Sequence, residues 1–500
     1  MLIKDYYELL KSAELLKSAS QGVEASEIEI KAVSYNSSKV EQDSLFICKG
    51  KRFKREYVED AVRGGAILTV SEERFEGIDA MYILVSDIRR AMALIAEYHH
   101  DHPQKKLFKV GITGTKGKTT TAYFYKRIMD EYTSSEGGKP AAIFSSICNY
   151  YGKNTEKSSL TTPESPDLYE YMACAVNEGI EDLVMEASSQ GLKYNRLDGV
   201  EFEVGIFLNI GEDHISPFEH SDFEDYFRAK KRIADISKTL LVNGDIPEYR
   251  EVTLRHTGRT LIFSTENENA DYYGYYMRSE GHGTSFFVKS KDFNRKFYIP
   301  MKGDFNVSNA LAAIAAADIR GVPVHIIERG LSKAQVEGRM EFVGSKDGAI
   351  NVIVDYAHNK LSFSALFEYV KKEFSGKGIV AVFGCPGEKA YDRRRELPAI
   401  SAQYCCHIFL SNDDSGYEPF EKITEEVIAN FPEGTEYTVM KDREKAIVTA
   451  LDLYGKDCVI VLAGKGRETT QRAPGGYEPY ISDYVCAEEY VKRYNEENKK

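Results

Sequence analysis

Apolar residues in this chain fall into short runs separated by segments of helical spacing, and the rhythm recurs in three blocks. In the first block, to about residue 106, SLFICKG and AILTV read as strands and IRRAMALIAEYHHDH as a helix. The middle block opens with KLFKVGITGT, a strand running into a Gly-rich turn, and TTTAYFYKRIMDEY follows with apolar residues at helical spacing. Two more strand-like runs, EDLVMEASS and EVGIFLNIG, precede GDFNVSNALAAIAAADIRGV, a helix with an alanine-rich packing face. From about residue 338 the strands INVIVDYAH, GIVAVFGC, HIFLSNDD and CVIVLAGKG alternate with the helical segments FEKITEEVIANF and DREKAIVTALDLYG. This alternation predicts an α/β protein whose sheets are largely parallel and covered on both faces. Three domains are expected, over 1–106, 107–337 and 338–500: a smaller α/β domain, a central phosphate-loop domain and a Rossmann-like domain. Ligands of such sheets bind beyond the carboxyl ends of the strands, where the polar motifs of this chain largely lie.

Composition narrows the class. The 500 residues, 42% of them apolar, suffice for several cores. A net charge of -13 offers no global attraction to nucleic acid or to an anionic membrane. The start, MLIKDYYELLKSAELLKSAS, lacks a basic segment followed by an apolar run, and no apolar stretch approaches the ~18 residues of a membrane span. A cytoplasmic location is therefore expected. Eight cysteines (48, 148, 174, 385, 405, 406, 458 and 486) form no CxxC pair and sit mostly in apolar runs. They read as reduced, buried thiols rather than a disulfide frame or a zinc site.

The sharpest chemical signal is GITGTKGKTTT, from Gly111 to Thr121. A strand, a glycine loop, and Lys118 and Thr119 at a helix start are the parts of a phosphate cradle. Backbone N–H groups face the anion, the lysine neutralises the distal phosphates and the threonine hydroxyl reaches Mg²⁺. The common GxxxxGK[ST] pattern would place glycine at Ile112; here the glycines fall at 111, 114 and 117, and the loop is one residue longer. Glu186 follows an apolar strand, as a further Mg²⁺ ligand would. On residue type alone, Asp213 and His214 read as a solvated turn and Lys230 as a solvated helix lysine. The cluster His99 to His102 reads as a solvated helix end in preference to a metal site.

Eight motifs occur in an order that resembles the Mur ligases: TGTKGKTTT, TTPES, MEASSQGL, LNIGEDHISPFEHSDFEDYFRAKKRI, GDFNVSNALAA, GRMEFV, VDYAHN and LAGKG. The resemblance covers essentially the whole chain. It is closest to the branch that adds the third residue to UDP-N-acetylmuramoyl-L-Ala-D-Glu. VSYNSSKVEQDSLFICKG resembles that branch's uridine-binding segment, with Ser37 kept and Asn36 and Ser38 standing where Asp and Arg are usual.

The resemblance implies roles that residue types alone do not. Gly114, Thr115, Lys116, Gly117, Lys118, Thr119 and Thr120 would cradle the ATP phosphates. One Mg²⁺ would rest on Thr119 and Glu186, and a second on Glu186, His214 and Lys230, with the lysine carried as a carbamate. A neutral lysine amine captures CO₂ and becomes an anionic oxygen ligand suited to a hard metal. Asn306 and Asn309 would lie by the adenine, Arg339 and Asp355 by the phosphates and ribose, and His358 near the base. Lys118, Glu186, His214 and Lys230 would form the catalytic set. Thr161, Thr162, Ser188 and Arg196 would touch the UDP-linked substrate, although TTPE also reads as a helix cap with Thr162 ahead of Pro163 and Glu164.

The reaction implied is an amide ligation through an acyl phosphate. Diaminopimelate-adding relatives share a DNPR segment whose Arg grips the distal carboxylate; here the run is SNDDSGYEP, with Asp413, Asp414, Ser415 and Gly416. An acidic pair suits a distal ammonium, so L-lysine is expected, with meso-diaminopimelate or another diamino acid as the alternative. Arg393, flanked by Arg394 and Arg395, is the candidate for the α-carboxylate of the incoming amino acid. Glu468 would read an amine, beside Gly464. The expected partners are the UDP-muramoyl dipeptide, ATP and a diamino acid, acting on a monomer, with no nucleic acid and no membrane. A folylpolyglutamate synthetase-like ligase and a non-ligase phosphate-loop ATPase are the competing classes; the 110 residues before Gly111 argue against the first, and GRME and VDYAH against the second.

Overall fold

The computed structural model describes residues 1–50, 53–213, 215, 219–281 and 283–498. Three main sheets follow the three blocks. The first has five strands in the order Leu16–Ala19, Met81–Val85, Ala66–Ser71, Ser44–Ile47 and Ala32–Ser34. The last four run parallel and the Leu16–Ala19 edge is antiparallel. In the middle sheet, seven neighbouring strands from Ala142–Phe144 to Tyr272–Glu280 run parallel, with Phe108–Thr113 between Asp182–Glu186 and Phe202–Phe207. The third sheet is parallel except for its Glu341–Gly344 edge. The α/β expectation holds, with two additions that the helical rhythm of the sequence did not reveal: Tyr272–Glu280, Gly283–Lys289 and Asn294–Ile299 form an antiparallel extension at one edge, and Cys148–Tyr150 and Thr155–Lys157 add antiparallel strands at the other.

Packing explains where the central motifs sit. The Phe108–Thr113 strand is buried along most of its length, and a Cβ on Gly111 would come within 2.5 Å of the Phe202 ring on the neighbouring strand. The helix Asp304–Arg320 is lined by Ala310, Ala312, Ala313 and Ala315 to Ala317, all fully buried. Small side chains let it lie against the helix Lys118–Ser135 that leaves the glycine loop. Asn306 and Asn309 ride on its first turns and so come beside that loop.

The helix predicted over IRRAMALIAEYHHDH runs from Ile88 to His99, shorter than expected, with Asp101 and His102 in left-handed conformation after it. The expectation of a solvated end needs correction at His99, whose Nδ1 lies 2.6 Å from the Tyr6 hydroxyl. His102 Nδ1 meets Glu97 at 2.8 Å. Among the described residues no group of three or more His, Cys, Asp or Glu side chains is placed to hold a metal. Cys48, Cys385, Cys458 and Cys486 are buried, Cys148, Cys174 and Cys405 are half-buried, and Cys406 is exposed, contrary to the expectation of burial there. No described helix is long and apolar enough to cross a membrane.

One ion pair in the third block is wholly sealed from solvent. Arg443 Nε and Nη2 donate to the two carboxylate oxygens of Asp483, each at 2.8 Å. The same guanidinium reaches Ser411 Oγ at 3.1 Å and the Ala463 carbonyl at 2.8 Å. It therefore ties together the carboxyl ends of two strands, His407–Leu410 and Cys458–Ala463, where Asp413 and Gly464 begin. Removing one partner of a sealed pair strands the other charge. Arg443→Met is accordingly expected to destabilise by about 3–5 kcal/mol, read as a lowered melting temperature of the third block's transition in calorimetry.

Candidate active site

The glycine loop joins the end of the Phe108–Thr113 strand to the helix Lys118–Ser135. Gly117 sits at φ 83, a left-handed conformation, and a Cβ there would lie 2.2 Å from Asn309 Oδ1. Glycine is required on both counts. Thr115 is held by its amide to the Asn209 carbonyl at 3.1 Å, and its hydroxyl lies 3.2 Å from both the Gly211 carbonyl and the Tyr226 hydroxyl. The Lys116 amide donates to Asn209 Oδ1 at 2.8 Å. Thr120 is buried behind the loop.

Two lysine side-chain nitrogens converge on one carbonyl. Lys118 Nζ donates to the Gly114 oxygen at 2.9 Å and Lys230 Nζ to the same oxygen at 2.8 Å. Lys230 lies on the helix Phe223–Asp235 and is 1% exposed, which corrects its reading as a solvated lysine. Burial, reinforced by the neighbouring Lys118, pushes its pKa well below that of an ordinary lysine. Burial lowers Lys118 too, against the pull of Glu186 and Asp213. Lys116 falls to about 8, again mainly through burial, with Asp213 opposing.

Glu186 ends its strand with no solvent exposure. Its carboxylate accepts from Thr119 Oγ1 at 2.9 Å, from the Ser146 amide at 2.8 Å and from Ser146 Oγ at 3.1 Å. A threonine hydroxyl against a buried carboxylate at the mouth of a phosphate loop is an oxygen donor set that fits a hard divalent cation. His214 lies outside the described residues. Its neighbour Asp213, which residue type alone leaves as a solvated turn, is instead engaged by both the phosphate loop and the third block. The Asp213 carboxylate stands 3.5 Å from Lys116 Nζ and 4.0 Å from Arg393 Nη2, and accepts from Asn359 Nδ2 at 2.6 Å.

That contact brings the third block onto the phosphate loop. Asp355, at the end of Asn351–Asp355, accepts the amides of Met340 and Ala357 at 2.8 and 2.6 Å, while burial raises its pKa. Arg339 lies over the Tyr356 ring, 4.9 Å from its centroid, and its buried Nε has no partner. His358 is held by Nδ1 against the Tyr356 carbonyl at 2.6 Å. Burial pushes its pKa well down, and Arg393 and Lys116 add to the effect. Asn306 donates to the Lys302 carbonyl at 2.8 Å, and Asn309 to Asn306 Oδ1 at 3.3 Å. Ion pairs Lys302–Glu373 and Lys372–Asp304 cross between the same two blocks.

On the other side of Glu186 lie the residues expected to meet the UDP-linked substrate. Thr162 Oγ1 donates to the Glu186 carbonyl at 2.8 Å and accepts from the Ser188 amide at 2.9 Å. The cap reading of Thr162 is thereby corrected: the helix Ser165–Asn177 has Glu164 at its cap position, and the Thr162 hydroxyl is engaged elsewhere. Ser188 itself caps Ser189–Lys193 through the Gly191 amide at 3.0 Å. Thr161 pairs with Ser146 Oγ at 3.1 Å, and Arg196 reaches the Thr162 carbonyl at 3.1 Å and Glu164 at 2.9 Å. Ser37 opens a one-turn helix that Asn36 caps by accepting from the Ser38 amide at 3.1 Å. Lys49 links the first block to this corner through Glu164 at 2.8 Å, a contact with no sequence signal.

At the carboxyl ends of the third sheet an acidic pocket surrounds one lysine. Lys465 Nζ donates to Asp414 Oδ1 at 2.9 Å, to Glu468 and to the Thr470 carbonyl at 3.0 Å. Asp413 is buried alongside, and a Cβ on Gly464 would lie 2.9 Å from its Oδ2. Burial raises Asp413 and Glu468, with Lys465 pulling the other way. Lys465, not singled out in the sequence, thus occupies part of the acidic set. Of the three adjacent arginines, Arg394 is locked by Glu418, Glu426 and the Pro386 carbonyl, while Arg395 faces solvent near Asp392. Arg393, with a buried unpartnered Nε, is the one turned toward Asp213.

Comparison with known proteins matches this arrangement to two family models, "Mur ligase middle domain" over residues 112–317 and "Mur ligase, glutamate ligase domain" over residues 338–466. The chain is 38% identical to a UDP-N-acetylmuramoyl-L-alanyl-D-glutamate--L-lysine ligase of Enterococcus faecalis, covering 93% of this chain and 92% of that protein. It is 36% identical to a UDP-N-acetylmuramyl-tripeptide synthetase of Lactobacillus acidophilus, over 97% and 96% of the two chains. Among solved structures, a UDP-N-acetylmuramoyl-L-alanyl-D-glutamate--2,6-diaminopimelate ligase matches with a TM-score of 0.63 at 24% identity, over 93% of this chain and 95% of that one. The MurF ligase of Thermotoga maritima in complex with ADP matches at 0.63 with 19% identity, over 94% and 98%. The chain belongs to the Mur ligase family. It is an ATP-dependent ligase of peptidoglycan synthesis.

Because Gly117 has no room for a side chain and sits in left-handed backbone, Gly117→Ala is expected to weaken ATP binding by at least about tenfold, or 1.4 kcal/mol. Calorimetric titration with ATP checks this.

Proposed function

We propose that this enzyme joins L-lysine to UDP-N-acetylmuramoyl-L-Ala-D-Glu, with ATP as the co-substrate. The observation that carries the reading is that Asp213 lies between Lys116 of the phosphate loop and Arg393, whose charge in turn acts on Asp413 of the acidic pocket. It supports a reading in which Arg393 would meet the amino acid's α-carboxylate, between the phosphates and a group of carboxylates suited to a distal ammonium. The full-length likeness to an enzyme named for L-lysine supports the same choice. Residues 1–106 and Thr161, Thr162, Ser188 and Arg196 would hold the UDP-linked substrate, 107–337 the ATP phosphates, and 338–500 the amino acid and the ribose side of ATP. The enzyme would work in the cytoplasm as a monomer.

The chemistry follows from charge. A carboxylate is a poor electrophile, so the substrate's glutamyl carboxylate oxygen attacks the γ-phosphorus of ATP and ADP leaves. The amine of lysine then attacks the acyl carbon, phosphate leaves with the bonding pair, and the amine gives up a proton as the amide forms. Lys118 and Lys116 stand where they would offset charge on the transferring phosphoryl group. Mg²⁺, held by Thr119 and Glu186 and by His214 and Lys230, would supply further neutralisation of phosphate charge. Lys230 fits a carbamate because burial favours the neutral amine that captures CO₂. Arg339 and Asp355, reaching the site from the third block, make domain closure part of site assembly.

Phosphate release should require both the UDP-muramoyl dipeptide and an amino acid, with L-lysine preferred over meso-diaminopimelate and L-ornithine. Equal release without the dipeptide would end the ligase reading, and a clear preference for diaminopimelate would end the lysine reading. Lys230→Ala should lower kcat at least about 100-fold, with partial recovery on adding a short carboxylate; undiminished activity would remove the carbamate.

A further inference from the structure

Position 416 carries glycine where the resemblance to diaminopimelate-adding ligases expects arginine, yet the space beside it is filled. A Cβ at Gly416 would lie 2.8 Å from Cζ of Arg472 and 3.1 Å from its Nη1. Arg472 belongs to the short strand Thr470–Ala473 and stands nine positions beyond the end of the strand Cys458–Ala463, far from 416 in sequence. Its backbone is stitched to the acidic loop: the Arg472 amide donates to Asp414 Oδ1 at 2.9 Å, and its carbonyl accepts from the Gly416 amide at 3.3 Å. A guanidinium therefore reaches the place from which an arginine at 416 would extend, delivered by a different strand.

It arrives already paired. Glu388 forms an ion pair with Arg472 Nη2, and its Oε2 lies 2.9 Å from the same Cβ position on Gly416. Glu388 is itself held by the interlocking of two loops: its amide donates to Glu418 Oε2 at 2.9 Å, and the Gly387 amide to the Asp414 carbonyl at 3.1 Å. The side chains of Arg472 and Glu388 are 29% and 42% exposed, whereas that of Lys465 is 1% exposed and shared between Asp414 and Glu468. The pair is thus open to an incoming molecule, as is Glu468 with 40% of its side chain exposed, whereas Lys465 is sealed between the carboxylates.

We propose that the Glu388–Arg472 pair sets the amino-acid selectivity of this enzyme, Glu388 occupying the guanidinium that would otherwise accept a distal carboxylate. A carboxylate ligand would have to displace Glu388, a group of its own charge, from the fork of Arg472, and would do so facing Asp413, Asp414 and Glu468. A distal ammonium meets no such competition and joins the carboxylate side of the cluster. The inference rests on the lysine reading above and adds the residues that enforce it.

The test compares kcat/KM for L-lysine and for meso-diaminopimelate, at saturating ATP and UDP-muramoyl dipeptide, in the wild type, Glu388→Gln, Arg472→Gln and the double variant. The wild-type ratio tests lysine itself; the change in ratio tests the pair. Glu388→Gln should shift the ratio toward diaminopimelate by at least about tenfold, through the KM of the amino acid and with the KM of ATP unmoved. The double variant should lose that gain, and Arg472→Gln alone should diminish whatever diaminopimelate use the wild type has. A ratio in Glu388→Gln within about twofold of wild type, with or without a change in melting temperature, would reduce the pair to a tie between loops and overturn the proposal. Greater diaminopimelate use in Arg472→Gln would overturn it as well. Should Glu388→Gln not fold, Glu388→Asp, which retracts the carboxylate, should shift the ratio in the same direction by a smaller factor, and no shift there would count against the pair.

Discussion

Two lysine side-chain nitrogens share one carbonyl oxygen in the phosphate loop, and much of the surrounding architecture answers the charge gathered there. Lys118 and Lys230 both donate to Gly114, and both are buried. Cations out of water require counter-charge or must give up their protons. Glu186 and Asp213 supply part of the counter-charge, from the ends of two different parallel strands. The remainder suits a ligand rich in negative oxygen. A parallel sheet is the scaffold that makes this possible, because its carboxyl edge collects loop residues from strands distant in sequence onto one line.

The third block extends the same logic. Asp213 is in contact with Lys116, Arg393 and Asn359 at once, so the counter-charge of the phosphate loop is also the docking point for the opposing block. Asp355, Arg339 and His358 reach the neighbourhood on that contact, and burial and the cations around His358 push its pKa well down. The sealed Arg443–Asp483 pair holds the strand ends from which the acidic pocket starts. The middle and third blocks are therefore joined through a handful of ionic contacts, with Met340 packed against the apolar cores of both.

Family resemblance and local environment contribute differently to reading the site. The resemblance names Lys230 for its role, whereas the structure gives its surroundings: Lys230 is buried against the Gly114 carbonyl, while its neighbour Lys231 is paired with Glu251. Among Arg393, Arg394 and Arg395, sequence offers three equal cations on one helix start. Packing separates them: one is bound to two glutamates, one faces water, and one is turned toward Asp213. Gly416 gives the opposite lesson. Read as a letter, it is a missing arginine; in three dimensions an arginine stands beside it, paired with a glutamate.

The sequence by itself determined the α/β class, the three blocks, the long strands and helices and the glycine loop, because all of these are local. Periodicity records which face of a segment is buried, and Gly117 with Lys118 and Thr119 is contiguous in the chain. It also carried, through ordered motifs, the membership of a ligase family. The antiparallel extension at Tyr272–Ile299 escaped it because cross-strand pairing leaves a weaker periodic trace than a helix. Only the tertiary structure decided which charged residues meet. Asp213 with Asn359, Lys465 with Asp414 and Glu468, and Arg472 with Glu388 are separated by up to 146 positions or by as few as three. Such contacts depend on how strands are ordered in a sheet and how two sheets face each other, and no spacing along the chain encodes that.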